Sequence, residues 1–160
     1  MSKFSRNLIK GKKYEQLALS YFDYKKVYFP DGNFKDYDFI IDDDVKVEVK
    51  SDIQASFTGN LCIEYECNNK PSGISSTSAD YWIYFINYKD YDECYKIPLK
   101  ELIDICHKKG RKVSGGDGGR SRCFLIKKDI FKDYIIYKKV KITSKSRAKK
   151  EEIEITEILH

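Results

Sequence analysis

The chain has 160 residues, enough for one domain around a single core, and its 41% hydrophobic and 34% charged residues exclude a disordered polymer. Its 30 Lys and Arg against 25 Asp and Glu give a formal charge of +5, which favours polyanionic partners but falls short of a histone-like tail. No run approaches the ~20 apolar residues of a membrane helix, and Met1 to Lys13 lacks a secretory apolar block, so the expectation is an intracellular protein with no membrane partner.

Five cysteines, Cys62, Cys67, Cys94, Cys106 and Cys123, form no CxxC pair, so neither a disulfide framework nor a zinc site is indicated and they read as small buried hydrophobes. In chain order, Leu8, Tyr14, Leu17, Ala18, Tyr21 and Phe22 recur at helical intervals and predict an amphipathic helix over 5–22. Tyr37 to Ile41 and Val45 to Lys50 read as two strands of a hairpin turned by Asp42, Asp43 and Asp44. A third strand is expected over 61–67 and a strongly apolar one over 81–87. Pro98 fits the first turn of a helix with Leu99, Leu102, Ile103 and Cys106 on one face, closed by Gly110. Lys109 to Arg122 is rich in glycine and positive charge, Cys123 to Ile126 suggests a strand, and Ile130 to Tyr137 is a mixed apolar stretch. Residues 1–140 are read as one domain and 141–160, with Lys145, Arg147, Lys149 and Lys150 before an acidic run, as a charged C-terminal extension of uncertain order. The order of elements predicts an α/β or α+β fold with a mixed sheet.

The segment from Asp36 to Lys50 carries the chemistry. Glu48 and Lys50 are two apart on a strand, so both project to one face while Val47 and Val49 project to the other. Asp38 opens the preceding strand, and the hairpin sets it beside Glu48. Neighbouring carboxylates repel unless a cation lies between them, and hard oxygen ligands suit Mg²⁺ or Mn²⁺, which keep waters for a substrate. An ammonium at position 50 then balances charge at a reacting phosphate. The alternative is an ordinary solvated strand face, because Glu-x-Lys alone is common.

Asp38 followed after ten positions by Glu48-Val49-Lys50 resembles the core motif of the PD-(D/E)XK nuclease superfamily. The run Gly11-Lys12-Lys13-Tyr14-Glu15-Gln16-Leu17-Ala18 is similar to the first helix of archaeal Holliday-junction resolvases, whose glutamate joins the site, and Glu15 matches it. Lys70 to Trp82 and Gly115 to Arg120 resemble segments of phage and viral members. The resemblance implies a restriction-endonuclease-like core, a central mixed sheet flanked by helices, and one or two Mg²⁺ ions held by Asp38, Glu48, Glu15 and the Val49 carbonyl. It also implies hydrolysis leaving a 5′-phosphate. No proline precedes Asp38, and Asp36 competes for the metal role from the same face.

The expected activity is a metal-dependent endodeoxyribonuclease, structure-selective for branched or junction DNA, with Asp38, Glu48, Lys50 and Glu15 at its centre. A symmetric dimer is the natural arrangement if both strands are cut. Alternatives are a non-catalytic nucleic-acid-binding module of the same fold, a sequence-specific restriction-type enzyme, and an RNA-directed nuclease. Arg111, Lys112, Arg120 and Arg122, with Lys12, Lys13 and Ser72, are candidate nucleic-acid contacts. The alternative for 109–122 is a surface loop, and it is no Walker A loop because no Gly-Lys-Ser/Thr follows at the right spacing. Glu64 and Glu66 either reach the metal or are exposed strand glutamates. His107 and His160 have no partners in a recognisable base arrangement.

Overall fold

The computed structural model describes residues 3–32, 36–115 and 117–140, so the charged extension expected beyond Lys141 lies outside the described residues. The elements run α1 (Lys3–Leu19), β1 (Val27–Tyr28), β2 (Phe39–Ile41), β3 (Val45–Asp52), α2 (Gln54–Thr58), β4 (Asn60–Cys67) and β5 (Lys70–Pro71). After a 3₁₀ turn at Gly73–Ser75 come β6 (Tyr81–Asn87), β7 (Tyr91–Pro98), α3 (Leu99–Lys109), β8 (Arg111–Gly115), β9 (Ser121–Lys127) and β10 (Ile135–Val140).

The strands form two sheets. A six-stranded sheet has the order β1-β2-β3-β6-β7-β10, with antiparallel neighbours except for β3 and β6, which run parallel. A four-stranded antiparallel sheet has the order β5-β4-β9-β8. The fold is therefore mixed α/β with a central mixed sheet flanked by helices. Among the described residues no helix is long and apolar enough to cross a membrane.

Period-two alternation in the six-stranded sheet feeds two cores. On one face Phe39, Ile41, Val47, Ile83, Phe85 and Cys94 pack under Tyr14, Ala18 and Leu19 of α1. On the other, Trp82, Tyr84, Ile86, Tyr95 and Ile97 meet Leu61, Ile63, Phe124 and Ile126 of the second sheet and Leu102 and Cys106 of α3. A buried polar knot pins α1 to the β6–β7 turn: the Tyr14 hydroxyl donates to Asp92 Oδ2 at 2.9 Å, and Asn87 Nδ2 donates to the Tyr14 hydroxyl at 2.8 Å and to Asp92 Oδ1 at 3.1 Å. Burial, with the Asp92 charge beside it, pushes the Tyr14 hydroxyl far above its ordinary value, so it stays a donor.

The first helix, the acidic-turn hairpin, the apolar strand β6 and the helix after Pro98 stand where periodicity puts them, with α1 shifted toward the N-terminus and β3 running on to Asp52. Asp42 and Asp43 take positive φ of 52° and 59°, which Asp tolerates in a tight turn, and Asp42 Oδ1 accepts from the backbone N–H groups of Lys25 and Lys26 at 2.9 Å. Two expectations are corrected. Pro98 does not lie within the helix: it ends β7, a strand not foreseen because Asp92 and Glu93 look exposed. Both are buried and satisfied, Glu93 by the Tyr95 hydroxyl at 2.8 Å and by Lys128 at 3.3 Å. Nor is 109–122 one loop, since Arg111–Gly115 pairs with β9 along its whole length.

Leu61 is fully buried at the meeting of the two sheets. Leu61→Ala is expected to cost about 2–5 kcal/mol in urea unfolding, whereas Ile9→Ala, at a position 58% exposed, is expected to change stability by less than about 0.5 kcal/mol.

Candidate functional site

On β3, Val47 is fully buried toward α1, so Glu48, Lys50 and Asp52 face the other way. The parallel register sets Glu48 opposite Trp82 and Lys50 opposite Tyr84. There the two sheets diverge and leave a cleft of about 600 Å³, walled by Glu48, Lys50, Asp52, Trp82 and Tyr84 on one side and by Cys62, Glu64 and Ser72 on the other. Gly73, Ser76, Thr77 and Asp36 form its rim.

Lys50 Nζ lies 2.5 Å from Glu48 Oε1 and 5.4 Å from the centroid of the Trp82 ring. The Glu48 side chain is only 12% exposed. Asp38 is buried just ahead of β2: its N–H donates to the Val47 carbonyl at 2.8 Å, and its Oδ2 accepts from the Val49 N–H at 2.7 Å. A strand residue points its N–H and C=O to the same side, so the Val49 carbonyl faces the edge that Asp38 occupies.

The remaining carboxylates are also held. Glu64 accepts from the Ser72 hydroxyl at 2.5 Å and from the Ser121 hydroxyl at 2.6 Å, one on each oxygen. Asp52 Oδ2 accepts from the Tyr84 hydroxyl at 2.6 Å and Oδ1 from the Gln54 N–H at 2.7 Å. The Tyr84 oxygen in turn accepts from the Cys62 N–H at 3.2 Å, which ties the second sheet to the first. Burial and then the Asp52 charge push the Tyr84 hydroxyl well above its ordinary value. The Trp82 indole N–H is buried in the wall with no hydrogen-bond partner among the described residues.

Gly73 lets the rim close. Its φ is +52°, and a Cβ there would lie 2.1 Å from the Glu64 carbonyl oxygen, so any side chain would push the turn off β4 and carry Ser72 away from Glu64. Thr77 Oγ1 donates to the Asp36 carbonyl at 2.7 Å, fastening the rim to the segment before β2.

Asp36, Glu48, Asp52 and Glu64 line the cleft against one ammonium, Lys50. Burial alone would lower the Lys50 pKa, but the charges of Glu48, Asp38 and Glu64 outweigh it and raise it above 10.5. Lys50 therefore carries a positive charge at neutral pH, with its side chain 44% exposed at the cleft. Among the described residues no group of three or more His, Cys, Asp or Glu side chains is gathered closely enough to hold a metal ion. Mg²⁺ asks for less, because it usually binds through one or two carboxylates and keeps several waters. The hard oxygens of Asp38, Glu48 and the Val49 carbonyl fit that demand in kind.

Thus Glu48 and Lys50 meet in the cleft, where Glu64 joins them, and Asp38 lies near enough to act on Lys50 by its charge but is not among the residues that line the cleft. Glu15 does not line the cleft: it is half-buried on α1, which covers the opposite face of the sheet, and Lys12 and Lys13 are exposed on the same helix. Ser72 holds Glu64. Arg111 and Lys112 are exposed on β8, Arg120 is exposed in the turn before β9, and Arg122 Nε pairs with Glu66 Oε1 at 3.1 Å. Cys94, Cys106 and Cys123 are buried as expected, but Cys62 is exposed on the cleft wall. Asp52 went unrecognised although it continues the two-residue alternation of Glu48 and Lys50. Comparison of the chain with family models, with curated proteins and with solved structures gave no match.

The raised Lys50 pKa fixes the sign of a pH effect. Its contribution to stability is present in full below the unfolded value and lost as pH rises through the folded value, above 10.5. The stability difference between wild type and Lys50→Met, from urea unfolding, is expected to hold constant between pH 7 and 9 and to shrink only above about pH 10.5.

Proposed function

We propose that the protein is a metal-dependent deoxyribonuclease of the PD-(D/E)XK kind, with a restriction-endonuclease-like core, acting on branched or junction DNA. The observation that carries this reading is Lys50, an ammonium kept charged by Glu48, Asp38 and Glu64 inside an acidic cleft. A phosphodiester entering that cleft alone would meet four carboxylates and one cation, so the site calls for further positive charge. Asp38, Glu48 and the Val49 carbonyl are the oxygens that would hold Mg²⁺, with Mn²⁺ as a substitute. When bound, that ion polarises a phosphoryl oxygen and acidifies a water.

The chain's own groups supply the rest. Asp38 is oriented by the Val49 N–H, which donates to its Oδ2 at 2.7 Å. Lys50 would orient the attacking water and offset charge growing on the phosphate. Glu64, gripped by two serines, is held near the ammonium. Phosphate contacts from Arg111, Lys112 and Arg120 would steady the strand outside the cleft. If both strands of a substrate are cut, a homodimer supplies one site to each.

The Glu48–Lys50 pair at 2.5 Å favours one competing reading, a nucleic-acid-binding module in which the ion pair stands in place of the metal. Cleavage of labelled duplex, single-stranded, flap and four-way-junction DNA, with a matched RNA, separates the two. The nuclease reading expects cutting that requires Mg²⁺ or Mn²⁺ and falls at least about a hundredfold in Glu48→Gln, Asp38→Asn and Lys50→Met. Binding without cutting by wild type would put the module in its place.

A further inference from the structure

A second cavity lies behind the turn that rims the cleft. Its volume is about 270 Å³ and it is lined by Tyr65, Ile74, Ile103, His107, Lys112 and Phe124. Tyr65 and Phe124 lie with ring centroids 4.6 Å apart at 39°, and His107 meets Phe124 edge-on at 5.4 Å. Lys112 Nζ hangs over both rings, 5.6 Å from the Tyr65 centroid and 5.8 Å from that of Phe124. Phe124 is buried and forms the floor, Tyr65 is half-buried, and His107 and Lys112 are exposed at the mouth.

The two cavities share a thin wall. Glu64 faces the cleft while Tyr65, the next residue on β4, faces this pocket, and neighbouring strand residues are only ~3.3 Å apart. The turn divides in the same way, Gly73 lining the cleft and Ile74 the pocket. Lys112 is the cation at the mouth; Arg111, its neighbour on β8, projects to the opposite face of the strand. A half-buried tyrosine ring under an exposed lysine, beside a site proposed for phosphate, matches a polyanion that carries aromatic rings.

We infer that this pocket receives an unpaired nucleobase of the DNA strand whose phosphate lies in the cleft, the base stacking on Tyr65 while Lys112 turns to the adjoining phosphate. The inference rests on the nuclease reading and narrows its substrate. A base in an intact duplex is already stacked and paired, so only a single-stranded segment, flap or junction arm can offer one without paying for extrusion.

The test is fluorescence anisotropy with a labelled single strand and a blunt duplex of the same sequence, in chelator so that nothing is cut. Wild type is expected to prefer the single strand. Tyr65→Ala should weaken that binding about tenfold and leave the duplex unchanged, while Tyr65→Phe keeps it. Lys112→Ala, an exposed substitution, should weaken the single strand and flatten its salt dependence. Tyr65→Ala or Lys112→Ala binding the single strand as wild type does, or Tyr65→Ala losing both probes equally, would overturn the pocket. Tyr65-dependent binding by a wild type that cuts nothing with Mg²⁺ would leave the pocket standing and remove the nuclease. Cutting that is indifferent to Tyr65, in a protein whose single-strand binding is also indifferent to it, would do the reverse.

Discussion

The parallel ladder between β3 and β6 determines where the first sheet's groups stand in the cleft. It is the one parallel pairing in the six-stranded sheet, and it sets Glu48 against Trp82 and Lys50 against Tyr84. Because strand side chains alternate, the same eight residues of β3 present Val47 to the helix and Glu48, Lys50 and Asp52 to the cleft. A slip of one residue would bury the charges under α1 and expose the valines, so burial on one face holds the polar face in register.

Polar groups then give the cleft its shape. The Tyr84 hydroxyl joins Asp52 on the first sheet to the Cys62 amide on the second. Glu64 does the same for the second sheet, drawing Ser72 and Ser121 to its two oxygens. Each bond satisfies a group that burial would otherwise penalise, and each fixes a wall of the cavity. The cost is a concentration of negative charge that only Lys50 offsets inside the lining. That imbalance is what the proposed divalent cation would offset.

Much of the frame was legible because periodicity is a local signal. Tyr14, Leu17 and Ala18 declared α1, and alternation in 45–50 declared both β3 and the pairing of Glu48 with Lys50 on one face. β7 was hidden because Asp92 and Glu93 are buried charges whose partners, Tyr14 and Lys128, lie far away in the chain. β8 was masked by its glycine and arginine content, and the five-residue α2 is too short to show a helical period. At the site, Asp38 and Lys50 could be read from spacing. Glu64 stayed between two meanings until Ser121, 57 residues away, was seen to hold it. Glu15 illustrates the opposite limit: its helical position can be read from the sequence, but the face that α1 covers depends on packing the sequence does not display.

If Asp38 and Glu48 hold a divalent cation beside Lys50, a crystal grown with Mn²⁺ will reveal it by anomalous scattering. The expected result is a Mn²⁺ peak bound by the Asp38 and Glu48 carboxylates and the Val49 carbonyl, with the Lys50 ammonium still beside it. Mn²⁺ bound only elsewhere, with the Glu48–Lys50 ion pair unbroken at 2.5 Å, would contradict it.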